Sequence, residues 1–315
     1  MDPDLALRTV GGSVVSATDE SFAAKENLIV PGPPVFDPST FGHRGKVYDG
    51  WETRRRRSPG HDEAVVRLGA PGVVRRIVVD TTWFTGNYPP EGAVDGSADG
   101  TTWFELVPLS PLKGDSENTF DVRCERRVTH VRLRIVPDGG VARLRVHGKA
   151  LPDPALLEVL GTVDLAAIEN GGHVRDVSNR FYSSPHNLLL PGPARSMGEG
   201  WETARRRDAG NDWVELGLGT EGRIAVAEID TSYFLYNAPG STTLRGRTGD
   251  GAWQDLLNTP LQPDTRHRFV LTDRPAVTQV RLDIHPDGGL SRVRLWGTPT
   301  DTGRESLRTR WHAAR

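Results

Sequence analysis

Two stretches of the chain concentrate groups able to do chemistry. Gly50-Trp51-Glu52-Thr53-Arg54-Arg55-Arg56-Arg57 is followed by Gly60-His61-Asp62, and Gly200-Trp201-Glu202-Thr203-Ala204-Arg205-Arg206-Arg207 by Gly210-Asn211-Asp212. Neighbouring guanidinium groups repel one another, so such a run needs carboxylates to meet, in the protein or in a ligand. The planar fork grips a carboxylate through two hydrogen bonds. Along a strand, alternate side chains face opposite ways, so about half the run would reach a ligand and the rest would meet acidic neighbours. Arg54, Arg55, Arg56, Arg205 and Arg206 are therefore candidate binders of a small anion. Structural pairing with Glu52 and Asp62 is the competing reading.

His61-Asp62 is the acid–base candidate. An imidazole carries protons near neutral pH, and a carboxylate can orient it; the plain alternative is an exposed loop histidine. Asn211 stands at the matching place in the second stretch, so a chemical role for the histidine would be confined to the first. No His-x-x-x-His or His-Glu-x-x-His spacing occurs. A metal site would have to be assembled from distant residues such as His43, His61, Asp62 and Asp80, and neither metal nor cofactor is expected. The single cysteine, Cys124, excludes an intrachain disulfide and a Cys-rich zinc site.

The elements that hold these groups come in two copies. Asp4-Leu5-Ala6, Gly11-Gly12 and Asn27 to Pro33 recur 160 residues later, as Asp164-Leu165-Ala166, Gly171-Gly172 and Asn187 to Pro193. At the Trp-Glu-Thr motif the offset falls to 150, so the first copy carries about ten extra residues around Phe36 to Tyr48, among them His43, Arg44 and Lys46. Asp80-Thr81-Thr82-Trp83-Phe84 pairs with Asp230 to Phe234, Asn87 with Asn237, Trp103 with Trp253, and Pro137-Asp138-Gly139-Gly140 with Pro286-Asp287-Gly288-Gly289. This is a tandem duplication. The extra residues, His61, and Asp19-Glu20 and Lys25-Glu26 (against Asn179-Arg180 and Pro185-His186) make the first copy richer in reactive groups and the expected catalytic half.

Each copy reads as β. Val131, Leu133 and Ile135 alternate with arginines, and so do Leu144 and Val146 beyond the Pro-Asp-Gly-Gly turn, which predicts a hairpin. Ala64–Leu68 and Arg76–Asp80 read as separate strands, as do Val214–Leu218 and Ile224–Asp230. Gly 35 and Pro 23 favour turn-rich all-β sandwiches or jelly rolls over helical bundles. Helices are expected only at Ala155–Leu160 and near Arg304–His312. Trp51, Trp103, Trp201 and Trp253 are expected in the cores. The expected domains are 1–150 and 164–299, with a linker at 151–163 and a tail at 300–315. A net charge of −2, without aromatics interleaved among the basic residues, argues against nucleic acid. No apolar run approaches the roughly 18 residues of a membrane span. The acidic amino terminus lacks the pattern of a signal peptide, so a cytoplasmic location is expected.

The sequence resembles the allantoicase family. The likeness rests on Ala17-Thr18-Asp19-Glu20, Lys25-Glu26-Asn27-Leu28, the Trp-Glu-Thr-Arg run, Gly60-His61-Asp62 and Val79 to Pro89, and it covers both repeats. It implies two jelly rolls like discoidin or galactose-binding domains, and the Ser97 to Trp103 strand pattern agrees. It implies hydrolysis of allantoate to ureidoglycolate and urea, and a homo-oligomer. Under that resemblance Glu52, His61 and Asp62 are the catalytic candidates. Lys46, Arg54, Arg55, Arg56, Thr82, Asn87, Glu202, Arg205, Arg206, Asp212 and Asn237 are the candidates for holding substrate. Glu63, Trp83 with its counterpart Tyr233, Tyr236 and Ala204 depart from the family pattern. A non-catalytic discoidin-like binding module, or a hydrolase of a related ureido compound, is the alternative.

Overall fold

A computed structural model describes residues 2–43 and 45–315; Arg44 of the extra segment lies outside the described residues. The chain forms two compact units, one built on Asp4–Lys149 and the other on Ala150–Ala313.

The first unit contains β1 (Ser13–Ala17), β2 (Phe41–Gly42), β3 (Gly45–Lys46), β4 (Trp51–Glu52), β5 (Asp62–Asp80), β6 (Glu91–Ser97), β7 (Trp103–Pro111), β8 (Glu117–Asp121), β9 (Arg127–Val136), β10 (Gly140–Val141) and β11 (Arg143–Ala150). It is a jelly-roll β-sandwich organised by β5. The first half of that strand lies between β1 and β9, and its second half pairs with β8 and β11. One 19-residue strand thus replaces the two short ones expected from Ala64–Leu68 and Arg76–Asp80. Gly69-Ala70-Pro71-Gly72, between those two stretches, bends the strand without ending it, with a register shift between Arg67 and Gly72. Gly69 permits that bend by lying against the Val10 carbonyl, where a Cβ would come within 2.6 Å.

The expected hairpin of β9 and β11 does not form. Both strands pair with β5 instead, on opposite halves, because β10 intervenes and pairs with β4. The alternation is still read correctly: Val131, Leu133 and Ile135 are fully buried, while Arg132 and Arg134 lie on the other face. Each such fully buried aliphatic side chain contributes about 1.5–3 kcal/mol relative to exposure.

The second unit repeats the plan. It opens with α1 (Pro154–Leu160), which Asp153 caps by accepting from the Ala155 N–H, and then β12 (Val163–Asp164), β13 (His173–Val177), β14 (Trp201–Glu202) and β15 (Asp212–Asp230). There follow β16 (Ser241–Arg247), β17 (Gln254–Pro260), β18 (Arg266–Val270), β19 (Ala276–His285), β20 (Gly289–Leu290), β21 (Arg292–Pro299) and α2 (Asp301–Ala313). β15 is again a single 19-residue strand, flanked first by β13 and β19 and then by β18 and β21. Both helices fall where the sequence placed them. Trp51 and Trp201 are fully buried, but Trp103 and Trp253 are not core residues. They lie half-buried beneath the guanidinium groups of Arg132 (4.7 Å) and Arg247 (4.2 Å), a cation–π use of the ring.

Candidate active site

Strand β4 is two residues long, yet it is held on both sides. Glu52 sits opposite Gly140 of β10, and its backbone exchanges hydrogen bonds with Ala23. Trp51 points inward and donates its Nε1–H to the Asp19 carbonyl at 2.8 Å. Strand alternation then turns Glu52 the other way. Its side chain lines an open cleft of about 490 Å³ together with Phe22, Arg55, Arg56, Asn87, Tyr88 and Asp138.

Asn87 Nδ2 donates to Glu52 Oε1 at 2.6 Å. Burial pushes the Glu52 carboxyl above its ordinary pKa, and the Asn87 hydrogen bond opposes that shift. A carboxylate so poised is a stronger base than a solvated glutamate.

The arginines lie beyond the end of β4 in irregular chain, not on the strand expected for them, and they divide between acidic partners and the cleft wall. Arg54 lies 3.0 Å from Asp19. Arg56 donates to buried Asp62 at 2.8 Å, and Asp62 also accepts from Thr18 Oγ1 at 2.9 Å. The backbone N–H of Arg56 donates to Asp138 at 2.7 Å. Among the described residues, Arg55 stands in the cleft wall without an ion pair. Its side chain is exposed.

The structure brings Glu52, Asn87, Arg55 and Arg56 together and leaves other candidates elsewhere. His61 is exposed, with Nε2 3.4 Å from Glu63 Oε2, and does not line the cleft. Asp62 is turned inward at the start of β5, so its sequence neighbour His61 cannot share its position. Asp62 itself is occupied by Arg56 and Thr18. Lys46 packs over the rings of Phe36 and Phe41 at 5.5 and 5.8 Å. Thr82 donates its backbone N–H to Asp80 and lies outside the cleft lining. Sequence reasoning passed over Phe22, Tyr88 and Asp138. For Asp138 a signal existed, since Asp287 recurs in the second copy in the same role, accepting from the Arg206 N–H at 2.7 Å.

The second unit keeps the polar frame. Asn237 donates to Glu202 at 2.5 Å, and Arg206 meets buried Asp212 at 3.0 Å, with Ser178 as the second donor. Arg205 is exposed. The surroundings differ: Met197 Sδ lies 3.4 Å from Asn237 Nδ2, and Glu202 Oε2 is buried without a hydrogen-bond partner. Where the first unit has Ser21, Phe22, Thr85 and Gly86, the second has Phe181, Tyr182, Leu235 and Tyr236, all exposed and Tyr236 completely so.

Among the described residues, no three His, Cys, Asp or Glu side chains gather as a metal-binding group, and no helix is long and apolar enough to cross a membrane.

Comparison with known proteins agrees with this architecture. The profile of the allantoicase repeat matches residues 3–151 and again 163–300. A probable allantoicase of Nocardia farcinica is 61% identical over 309 residues, covering 94% of each chain. One of Streptomyces coelicolor is 49% identical, covering 98% of this chain and 88% of the relative. The crystal structure of allantoicase from Saccharomyces cerevisiae superposes with a TM-score of 0.83 at 33% identity, over 94% of this chain and 92% of that one. Two repeats of one sandwich, each with the same Trp-Glu strand and the same Glu–Asn hydrogen bond, and this breadth of likeness place the chain in the allantoicase family.

Proposed function

We propose that this chain hydrolyses allantoate to ureidoglycolate and urea, in the breakdown of purines by way of allantoin, and that the reaction takes place in the cleft of the first unit. The observation that carries the reading is the cleft itself: a half-buried carboxylate held by an amide, with one unpaired guanidinium in the same wall. Family membership supplies the substrate. Allantoate has one carboxylate, which Arg55 grips, and two ureido groups, which need donors and acceptors such as the Asn87 amide.

The chemistry follows as elimination and then addition. Glu52, ionised, takes the N–H proton of the ureido group that is retained and hands it to the nitrogen of the one that departs. The bond from that nitrogen to the central carbon breaks, urea leaves, and a carbon–nitrogen double bond remains. Water then adds its oxygen to the central carbon. Glu52 carries the water's proton to the imine nitrogen and ends ionised as it began. Asn87 occupies Oε1 and leaves Oε2 for the proton. A fixed anchor at the substrate's carboxylate contributes by holding the reacting atoms in place. The repeats at 1–150 and 164–299 are proposed as the domains, and a cytoplasmic homo-oligomer as the working form, on the family resemblance.

The test is urea release from allantoate by the purified protein, with and without a chelator. Release that survives chelation supports the reading. Loss restored only by added metal would replace the proton shuttle but keep the reaction. No release would favour a related ureido substrate or a binding module built on the same frame.

A further inference from the structure

The extra segment of the first unit makes contacts that lead inward to Glu52. Its ends are fastened at Asp49, whose carboxylate accepts from the Val35 N–H at 2.9 Å and from Arg143 at 2.6 Å. Above this fastening the Phe36 ring stacks on Tyr48 (5.1 Å between centroids) and on Trp83 (5.8 Å). Tyr48 stacks in turn on Phe84 at 5.1 Å. Trp83 Nε1 donates to the Pro34 carbonyl at 3.1 Å, which ties the segment to the loop that carries Phe84.

Phe84 is almost completely buried, and it lies against the backbone that holds the catalytic candidate. A Cβ on Gly140 would come within 2.0 Å of its ring, and one on Gly50 within 2.8 Å. Gly140 is the cross-strand partner of Glu52, and Gly50 lies two residues before it. The same loop ends in Asn87, whose carbonyl accepts from the Gly140 N–H at 2.8 Å. One stack of rings therefore presses on both members of the Glu52–Asn87 pair through shared backbone.

The second unit retains only the inner half. Phe234 is fully buried against Gly289 and Gly200 in the same way. The place of the extra segment is taken by Ala194 to Glu199, six residues without an aromatic ring. The inner contact belongs to the frame common to both units; the outer rings belong to the first alone.

We infer that Phe36 and Tyr48 are positioning residues, which hold the Glu52-bearing strand through Phe84 in the geometry its chemistry needs. The inference rests on Glu52 being the acting base. It does not require either ring to touch substrate, since neither lines the cleft. A displacement of about 1 Å in a catalytic group can cost on the order of a hundredfold in rate, so loss of the outer rings should be felt mainly in kcat.

The experiment compares Tyr48→Ala, Phe36→Ala, Tyr48→Phe and Phe41→Ala with the unaltered chain by urea release and by amide exchange. Tyr48→Ala and Phe36→Ala should lower kcat about ten- to a hundredfold with KM changed less than about threefold. Tyr48→Phe keeps the ring and should restore turnover. Phe41→Ala removes an exposed ring outside the stack and should leave it unchanged. Exchange at the amides of Glu52, Thr53 and Gly140 should quicken in Tyr48→Ala while the unit stays folded. Unchanged kcat and unchanged exchange would overturn the inference. So would a loss in kcat that Tyr48→Phe fails to rescue. If the unaltered chain releases no urea, the exchange measurement still decides the positioning role, and only the functional reading falls.

Discussion

The two units share a backbone plan and a set of polar contacts, and they differ in what surrounds those contacts. Glu52–Asn87 and Glu202–Asn237, Arg56–Asp62 and Arg206–Asp212, and Asp138 and Asp287 on the arginine backbones form one frame built twice. In the first unit the frame opens on a cleft and is backed by stacked rings. In the second, Met197 lies on the asparagine and exposed aromatics crowd the loops. Much of the conspicuous motif is therefore scaffold. The arginine–aspartate pair is held the same way in both units, so its recurrence speaks for folding, and the difference between the units lies in what surrounds the shared Glu–Asn pair.

The sharpest way to break this contrast is to remove each glutamate in turn. Glu52→Gln should lower kcat by about 10²–10⁴, the span expected for loss of a positioned acid–base group, while Glu202→Gln should leave steady-state urea release within about twofold. Equal losses would make both units catalytic. Next in size, Arg55→Gln should raise KM for allantoate by about ten- to a hundredfold, since a charge-assisted hydrogen bond is worth about 1.5–3 kcal/mol. Arg205→Gln, its counterpart, should change KM little. The pH profile sharpens the comparison further. Because burial raises the Glu52 pKa and Glu52 must be ionised to act, kcat should fall as pH drops through a value above the ordinary glutamate range. The Asn87 hydrogen bond opposes that rise, so Asn87→Ala should move the acid limb to still higher pH, whereas Asn237→Ala should not move it. A limb that stays in place would detach Glu52 from the rate. Smallest of all is His61→Asn, which gives the first unit the second unit's residue and should alter kcat less than about twofold.

Much of this was legible before the structure. The duplication, the β class, the alternation of Val131, Leu133 and Ile135 and the two helices followed from spacing, because burial repeats with the period of the element. The missing parts share a cause: neighbours in sequence are not neighbours in the site. His61 and Asp62 are adjacent, yet Asp62 is buried in the frame and His61 faces solvent beside Glu63. Ala64–Leu68 and Arg76–Asp80 read as two strands, because nothing local distinguishes a chain that reverses between them from one that bends and continues. The hairpin of β9 and β11 was misread for the same reason, since each strand's partner is β5, some sixty residues away. Trp103 recurs as a core residue would, but the Arg132 guanidinium rather than apolar packing covers it. Asp138 sits in a turn motif, and its reach to the Arg56 backbone 82 residues away carries no local mark.

The continuous 19-residue strand at the heart of each unit has a consequence for how that unit comes apart. A sandwich whose two layers are separate ribbons can shed one and keep the other as a partly ordered remnant. Here the two layers are successive halves of the same backbone. Freeing the β8–β11 side removes the support that fixes the direction of the β1–β9 side, and the reverse holds equally. Each unit should therefore melt in one cooperative step, with amide protection along Asp62–Asp80 lost together rather than half at a time.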